Sequence, residues 1–107
     1  MLSVGTDINM ADLLAHAEEA EKLLKALSNN KRLMILCSLN EGELSVNALN
    51  ERVPLSQSAL SQHLSVLRHS GMVATRRKSQ TIYYRLDDPS VEVIIKALHS
   101  LFCTSSD

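Results

Sequence analysis

Acidic residues are missing from one long stretch of this chain: between Arg52 and Leu86 there is neither Asp nor Glu. Glycine is scarce, with 3 in 107 residues, and cysteine scarcer, with 2. There is no Gly-rich loop to cradle phosphate, no Cys-x-x-Cys, and no nucleophile beside a recognisable base, so an enzyme is not expected and no cofactor is implied. No stretch approaches the roughly 20 apolar residues that a membrane span needs. The amino terminus lacks a basic, apolar signal sequence, and a cytoplasmic protein without a membrane partner is expected.

What the acid-free window does contain is positive charge. Arg52, Arg68, Arg76, Arg77, Lys78 and Arg85 make it +6 in a chain whose formal net charge is -1, so the remainder carries -7. Such two-sidedness in a near-neutral domain is the footprint of a phosphate-facing surface. At this length residues 1–107 form one domain, small enough that association would help its stability.

The window is centred on Leu55 to Val73, LSQSALSQHLSVLRHSGMV, which reads as one capped helix. Ser56 stands at the N-cap and Gly71 where a left-handed stop is needed. At about 100° per residue, Ala59, Leu60, Leu64, Val66 and Leu67 share one half of the wheel. Gln57, Ser58, Ser61, Gln62, Ser65 and Arg68 crowd the other. Short hydroxyls and amides can approach a polyanion, donating to phosphates and base edges without a carboxylate's repulsion. His63 falls on the apolar side and reads as a packing or phosphate-bonding histidine rather than a base reader.

Upstream, Met10 to Leu27 reads as one helix with Leu13, Ala17, Ala20, Leu24 and Leu27 at alternating spacings of four and three, either a core face or a dimer seam. Glu18 with Lys22 and Glu21 with Lys25 support it at i,i+4. Residues before it, Met1 to Asn9, and after Cys103, Thr104 to Asp107, read as frayed ends. Lys31 to Asn40 is a short helix with Leu33, Leu36 and Cys37 on one face, which predicts a buried Cys37. Glu41-Gly42-Glu43 is a turn, and Ser45 caps a third short helix, Val46 to Arg52, ended by Pro54. With the Ser56 helix this makes a helix-turn-helix.

After Gly71 the period becomes two, with Val73, Thr75 and Arg77 going out and Ile82, Tyr84 and Leu86 returning. That is a hairpin tipped by Lys78-Ser79-Gln80, its basic end placed to grip backbone or enter a minor groove. Asp88-Pro89 then opens a last helix, Ser90 to Phe102. Its stripe of Val91, Ile94, Ile95, Leu98, Leu101 and Phe102, with Val93 and Ala97, exceeds what a small domain covers, and with the first helix it is the candidate dimer interface.

Order and motifs together, LSQSALSQHLSVLRHSGMV with ALSNNKRLMIL before it and QTIYYRL in the hairpin, resemble the ArsR/SmtB family of bacterial winged-helix regulators over about Ala11 to Cys103. SQSALSQHL, with one cysteine ending the second helix and one ending the last, resembles the HlyU and BigR branch. The resemblance implies a mainly α fold with a small β-hairpin, a winged helix-turn-helix that is homodimeric through first and last helices. It implies Ser56 to Ser70 in the major groove of double-stranded DNA, at an imperfect palindrome in a promoter, with Arg76, Arg77, Lys78 and Gln80 of the wings beside it. Ser56, Ser58, Ser61 and Gln62 match the family's DNA-contacting positions.

The family's metal sensors are a poorer match. Glu43-Leu44-Ser45-Val46-Asn47 holds no cysteine where a metal box would stand, and the last helix offers only His99 near Asp87 and Asp88. Zinc needs about four convergent ligands, so no metal site is expected. In a cytosolic protein a permanent Cys37–Cys103 disulfide is not expected either. Within the resembled branch the pair acts as a dithiol switch closed by oxidants or sulfane sulfur, and Arg32 and Lys96 are the charges nearest in sequence that could lower a thiol pKa. The branch contains repressors and counter-silencers that displace a nucleoid silencing protein. The alternatives are a metal-responsive repressor and a winged-helix module that meets an acidic protein rather than DNA.

Overall fold

The structure is a computed structural model and describes residues 9–103. The expected frayed ends lie outside those residues except at Asn9, whose side chain accepts from the Ala11 and Asp12 amides and caps α1 (Met10–Ala15). Short polar side chains start four further helices in the same way. Asn29 opens α3 (Asn30–Leu39), Ser45 opens α4 (Val46–Arg52), Ser56 opens α5 (Gln57–His69), and Asp88 opens α6 (Pro89–Phe102) with Pro89 at its first turn. Each such cap is worth about 1 kcal/mol, which is why these boundaries are local properties of the sequence.

The expected single first helix is broken. His16 adopts φ -113° and ψ 13° and separates α1 from α2 (Ala17–Leu27). The reason is a competition for one carbonyl. The His16 ring Nδ1 sits 3.0 Å from the Asp12 oxygen, the acceptor that its own amide would take in a continuous helix, and that amide turns to Leu13 O at 3.1 Å. Of the two expected charge pairs on α2, Glu21 with Lys25 forms, at 3.5 Å, between exposed side chains.

Leu27, Ile35, Leu36, Leu39, Leu49, Val53, Leu60, Leu64, Leu67, Val91 and Ile95 fill the core, drawn from α2 to α6 and the α4–α5 link. Helix α3 is central, packing on α2, α5 and α6. Its buried face is Ile35, Leu36 and Leu39, so the expected burial of Cys37 is corrected: Cys37 lies on the flank and is exposed. Leu33 to Cys37 is an unbroken apolar run, and such a run does not fix which side of the helix turns inward. Val66, placed by the wheel on the apolar half of α5, is likewise 44% exposed.

Beyond Gly71, which closes α5 at φ 77°, the chain enters a hairpin of β2 (Val73–Lys78) and β3 (Thr81–Leu86). The register pairs Val73 with Leu86 and Lys78 with Thr81, so the turn proper is Ser79-Gln80, and Lys78 belongs to the ladder. Ser79 takes the left-handed φ of 57° that such two-residue turns demand. A third strand, β1 (Leu44–Ser45), pairs antiparallel with Tyr84 and Tyr83, giving the order β1-β3-β2 where only a hairpin is expected. Alternation assigns the two faces. Val73, Tyr84, Leu86 and Leu44 pack toward the core, while Arg76, Tyr83 and Arg85 share the outer face.

Candidate nucleic-acid interface

The link between α4 and α5 is held from both sides. Val53 is fully buried, Leu55 N donates to Val53 O at 2.8 Å, and Asn50 Nδ2 donates to Leu55 O at 2.8 Å. The crossing of α4 and α5 therefore rests on a satisfied turn, and α5 projects a defined face.

That face is the polar half of α5. Ser56, Gln57, Ser58, Ser61, Gln62, Ser65 and Arg68 are all exposed, and His63 is half-buried. Ser56 Oγ accepts from Ala59 N at 3.2 Å and lies 3.4 Å from Ser58 Oγ, while the first turn holds no acid to compete with an incoming phosphate. A groove of about 510 Å³ runs between α5 and the wing, lined by Ser61, Ser65 and Arg68 on one side and Ile82 and Tyr84 on the other. Gln80 lines a neighbouring groove with Asn47.

The basic residues differ in their freedom. Arg68, Arg77, Lys78 and Arg85 make no ion pair among the described residues, whereas Arg52 pairs with Glu41 at 3.2 Å and Arg76 with Glu43. The second pair is the tighter: Arg76 Nε donates to Glu43 Oε2 at 2.8 Å and Oε1 at 3.0 Å, and Nη2 reaches Oε1 at 2.8 Å. The guanidinium lies 4.8 Å above the Tyr83 ring. The hydrogen bond from Arg76 holds the Glu43 carboxyl below its ordinary value, against some desolvation, and the charges of Arg76 and Arg85 add to the effect. Sequence reading singled out neither Glu43 nor Tyr83, because the partners stand 33 positions apart and meet only when β1 joins the sheet.

The family described as "Bacterial regulatory protein, arsR family" matches residues 29–75. The transcriptional activator HlyU of Vibrio cholerae is 45% identical over 102 residues, which is 95% of this chain and 94% of that protein.

The chain belongs to the arsR family of bacterial regulatory proteins.

Within the family it falls with the HlyU-like branch. The biofilm growth-associated repressor of Xylella fastidiosa is 45% identical over 93 residues, covering 87% of this chain and 82% of that one. The crystal structure of the repressor BigR from Xylella fastidiosa superposes with a TM-score of 0.86 at 42% identity, over 92% of this chain and all of that one. The fold is thus the family's winged helix-turn-helix, with α4 and α5 as the motif and β2–β3 as the wing. The arsR-family protein is a DNA-binding transcriptional regulator, and its relatives are regulators rather than enzymes.

Apolar surface is left over on both terminal elements. Leu13, Leu14 and Leu24 on α1 and α2 and Val93, Leu101 and Phe102 on α6 are exposed, Phe102 at 79%. No helix among the described residues is long and apolar enough to cross a membrane.

Both cysteines are free and exposed. Cys37 borders a groove of about 480 Å³ between α3 and α6, with Asn40, Ile95, Lys96 and His99. Partial desolvation by the surrounding protein pushes the Cys37 thiol above the ordinary cysteine value, and the charge of Cys103, the C-cap of α6, raises it further. Arg32 does not act on this thiol as the sequence suggests: its guanidinium donates to Ala26 O at 2.7 Å and Lys25 O at 3.2 Å. Among the described residues no three His, Cys, Asp or Glu side chains converge as a metal site would require, and His99, Asp87 and Asp88 do not gather.

Proposed function

We infer that this regulator works as a cytoplasmic homodimer and that Cys37 and Cys103 form a thiol switch answering oxidants or sulfane sulfur. The exposed, acid-free face of α5 carries the DNA half of the reading. Ser56, Gln57, Ser58, Ser61, Gln62 and Ser65 enter the major groove of a promoter palindrome, His63 backs them, and Arg68, Arg77, Lys78 and Gln80 meet phosphates or the flanking minor groove. The exposed apolar residues of α1, α2 and α6 supply the second copy's seat, an extent of surface that marks association.

What supports the switch is placement: Cys37 lies exposed on α3 at a groove that α6 borders, and Cys103 is the exposed C-cap of α6. A thiolate that attacks the sulfane sulfur of a polysulfide breaks an S–S bond of the donor and becomes a persulfide as the shortened polysulfide anion leaves; the second thiolate then displaces hydrosulfide from that persulfide, closing a disulfide. The bond would join the helix-turn-helix scaffold to the dimer helix. Recognition helices of a dimer must sit about 34 Å apart to read successive turns of DNA, so a shift of α6 against α3 costs affinity. Repression and counter-silencing, the latter by competition with a nucleoid silencing protein, would use the same contacts.

The test is fluorescence anisotropy on the protein's own promoter duplex at fixed salt, comparing dithiothreitol-reduced with polysulfide-treated protein. A large fall in affinity that disappears in the Cys37→Ser/Cys103→Ser variant supports both halves. Tight binding that polysulfide leaves unchanged overturns the switch and keeps the regulator.

A further inference from the structure

The six basic residues of the acid-free window do not all face one way. Strand alternation puts Arg77 on the same side of the sheet as Ile82 and Tyr84, the side that lines the groove against α5. Arg76 points to the opposite side with its cross-strand partner Tyr83. There it is already engaged: its Nε and Nη2 bind both oxygens of Glu43, and its guanidinium lies over the Tyr83 ring.

Glu43 in turn comes from the turn that leads into β1, the strand next to β3. The cluster therefore joins the two outer strands, β1 and β2, across the face of the middle one. Carboxylate, guanidinium and aromatic ring in this order make a planar, directional contact that Lys could not copy, because an ammonium has neither the fork nor the flat face. The neighbouring strand β1 is only two residues long and contributes little ladder of its own. Without the cluster the wing is tied to the helical body mainly by the packing of Val73, Tyr84 and Leu86 at its root.

We propose that Arg76 is a wing-positioning residue, clamped by Glu43 and Tyr83, and is not among the phosphate contacts of the DNA complex. This rests on the reading of the protein as a DNA-binding regulator, and it separates two adjacent arginines that the sequence treats alike. Arg77 meets DNA. Arg76 sets the angle at which Arg77 and Lys78 are offered.

The two roles predict opposite signs. For a phosphate contact, Glu43 is a competitor, so Glu43→Gln would release Arg76 and tighten binding, and Arg76→Lys would preserve most of it. For a clamp, Glu43→Gln, Arg76→Ala and Arg76→Lys all weaken duplex binding severalfold, and the salt dependence of the affinity keeps its wild-type slope. Anisotropy titrations in a potassium chloride series read both quantities. Tighter binding by Glu43→Gln, or a slope that falls by about 0.9 per protomer in Arg76→Ala, overturns the proposal.

A measurement without DNA keeps the two readings apart. Hydrogen exchange of the β2 and β3 amides in the free protein should be faster in Glu43→Gln and in Arg76→Lys than in the wild type, with the core helices unchanged. Unchanged exchange in both variants overturns the clamp even where the protein binds DNA. Faster exchange in a protein that binds no duplex would leave the clamp standing and overturn the DNA reading instead.

Discussion

Raising the salt concentration should weaken DNA binding by an amount that the ion pairs of the free protein already limit. Of the four basic residues expected on DNA, Arg68, Arg77 and Lys78 make no ion pair among the described residues, while Arg76 is held by Glu43. Three cations from each protomer of a dimer neutralise about six phosphates, and at about 0.9 counterions released per contact the slope of log affinity against log salt is about -5. Between about 50 and 200 mM salt the affinity then falls by about three orders of magnitude. If Arg76 joined from both protomers, the slope would steepen to about -7 and the loss would exceed about four orders. The assay is anisotropy of a labelled promoter duplex with reduced protein, at constant pH, over a potassium chloride series. A slope shallower than about -2 would refute the assignment of the acid-free surface to phosphate, since fewer than three contacts could then be made. A slope near -7 would refute the placement of Arg76 outside the contact set.

Gln62→Ala should cost about 1 to 3 kcal/mol on the cognate site and little on random duplex, and equal losses on both would remove Gln62 from base reading. Leu60 is fully buried on the inner side of the same helix, so Leu60→Ala should lower unfolding stability by about 2 to 5 kcal/mol in urea titrations, a loss that a surface position would not show. Because Cys103 helps raise the Cys37 thiol, Cys103→Ser should move the Cys37 thiolate midpoint, followed by absorbance near 240 nm, downward while desolvation keeps it above the ordinary value; an unmoved midpoint would separate the two sulfurs. The Glu43 carboxyl is depressed in the folded protein, so its contribution to stability is complete above the unfolded value and is lost as pH falls through the folded one. A carboxyl titration followed by NMR should show that depression in the wild type and most of it gone in Arg76→Ala.

Sequence and structure agree wherever a residue's neighbours in the chain decide its role. Ser45, Ser56 and Asp88 cap helices as their positions predict, and Gly71 stops α5, because a cap bonds to amides two or three residues away. The polar face of α5 was legible for the same reason: Leu60, Leu64 and Leu67 fix the inward side, and everything opposite follows by rotation. Agreement ends where distant partners decide. Strand β1 is two residues long and exists only because Tyr83 and Tyr84 pair with it. The break at His16 is a local exception: it leaves the apolar spacing of the seam intact, so periodicity could not reveal a side chain that takes a backbone acceptor four residues away. Cys37 sits in an apolar run whose phase is set by what α5 and α6 bring against α3, and its exposed flank follows from that packing. The Glu43 clamp on Arg76 is a contact across the sheet, invisible to any local pattern.

The division of α5 into an inner row, Leu60, Leu64 and Leu67, and an outer set of hydroxyls and amides has a consequence for descent. Every exposed position on the helix can change without opening a cavity beneath it, and surface exchanges of that kind alter stability by no more than about 0.5 kcal/mol. Operator preference is therefore free to drift at nearly constant fold. After a gene duplication the two copies can part company in the promoters they govern by a handful of substitutions, while sharing one scaffold and one pair of cysteines.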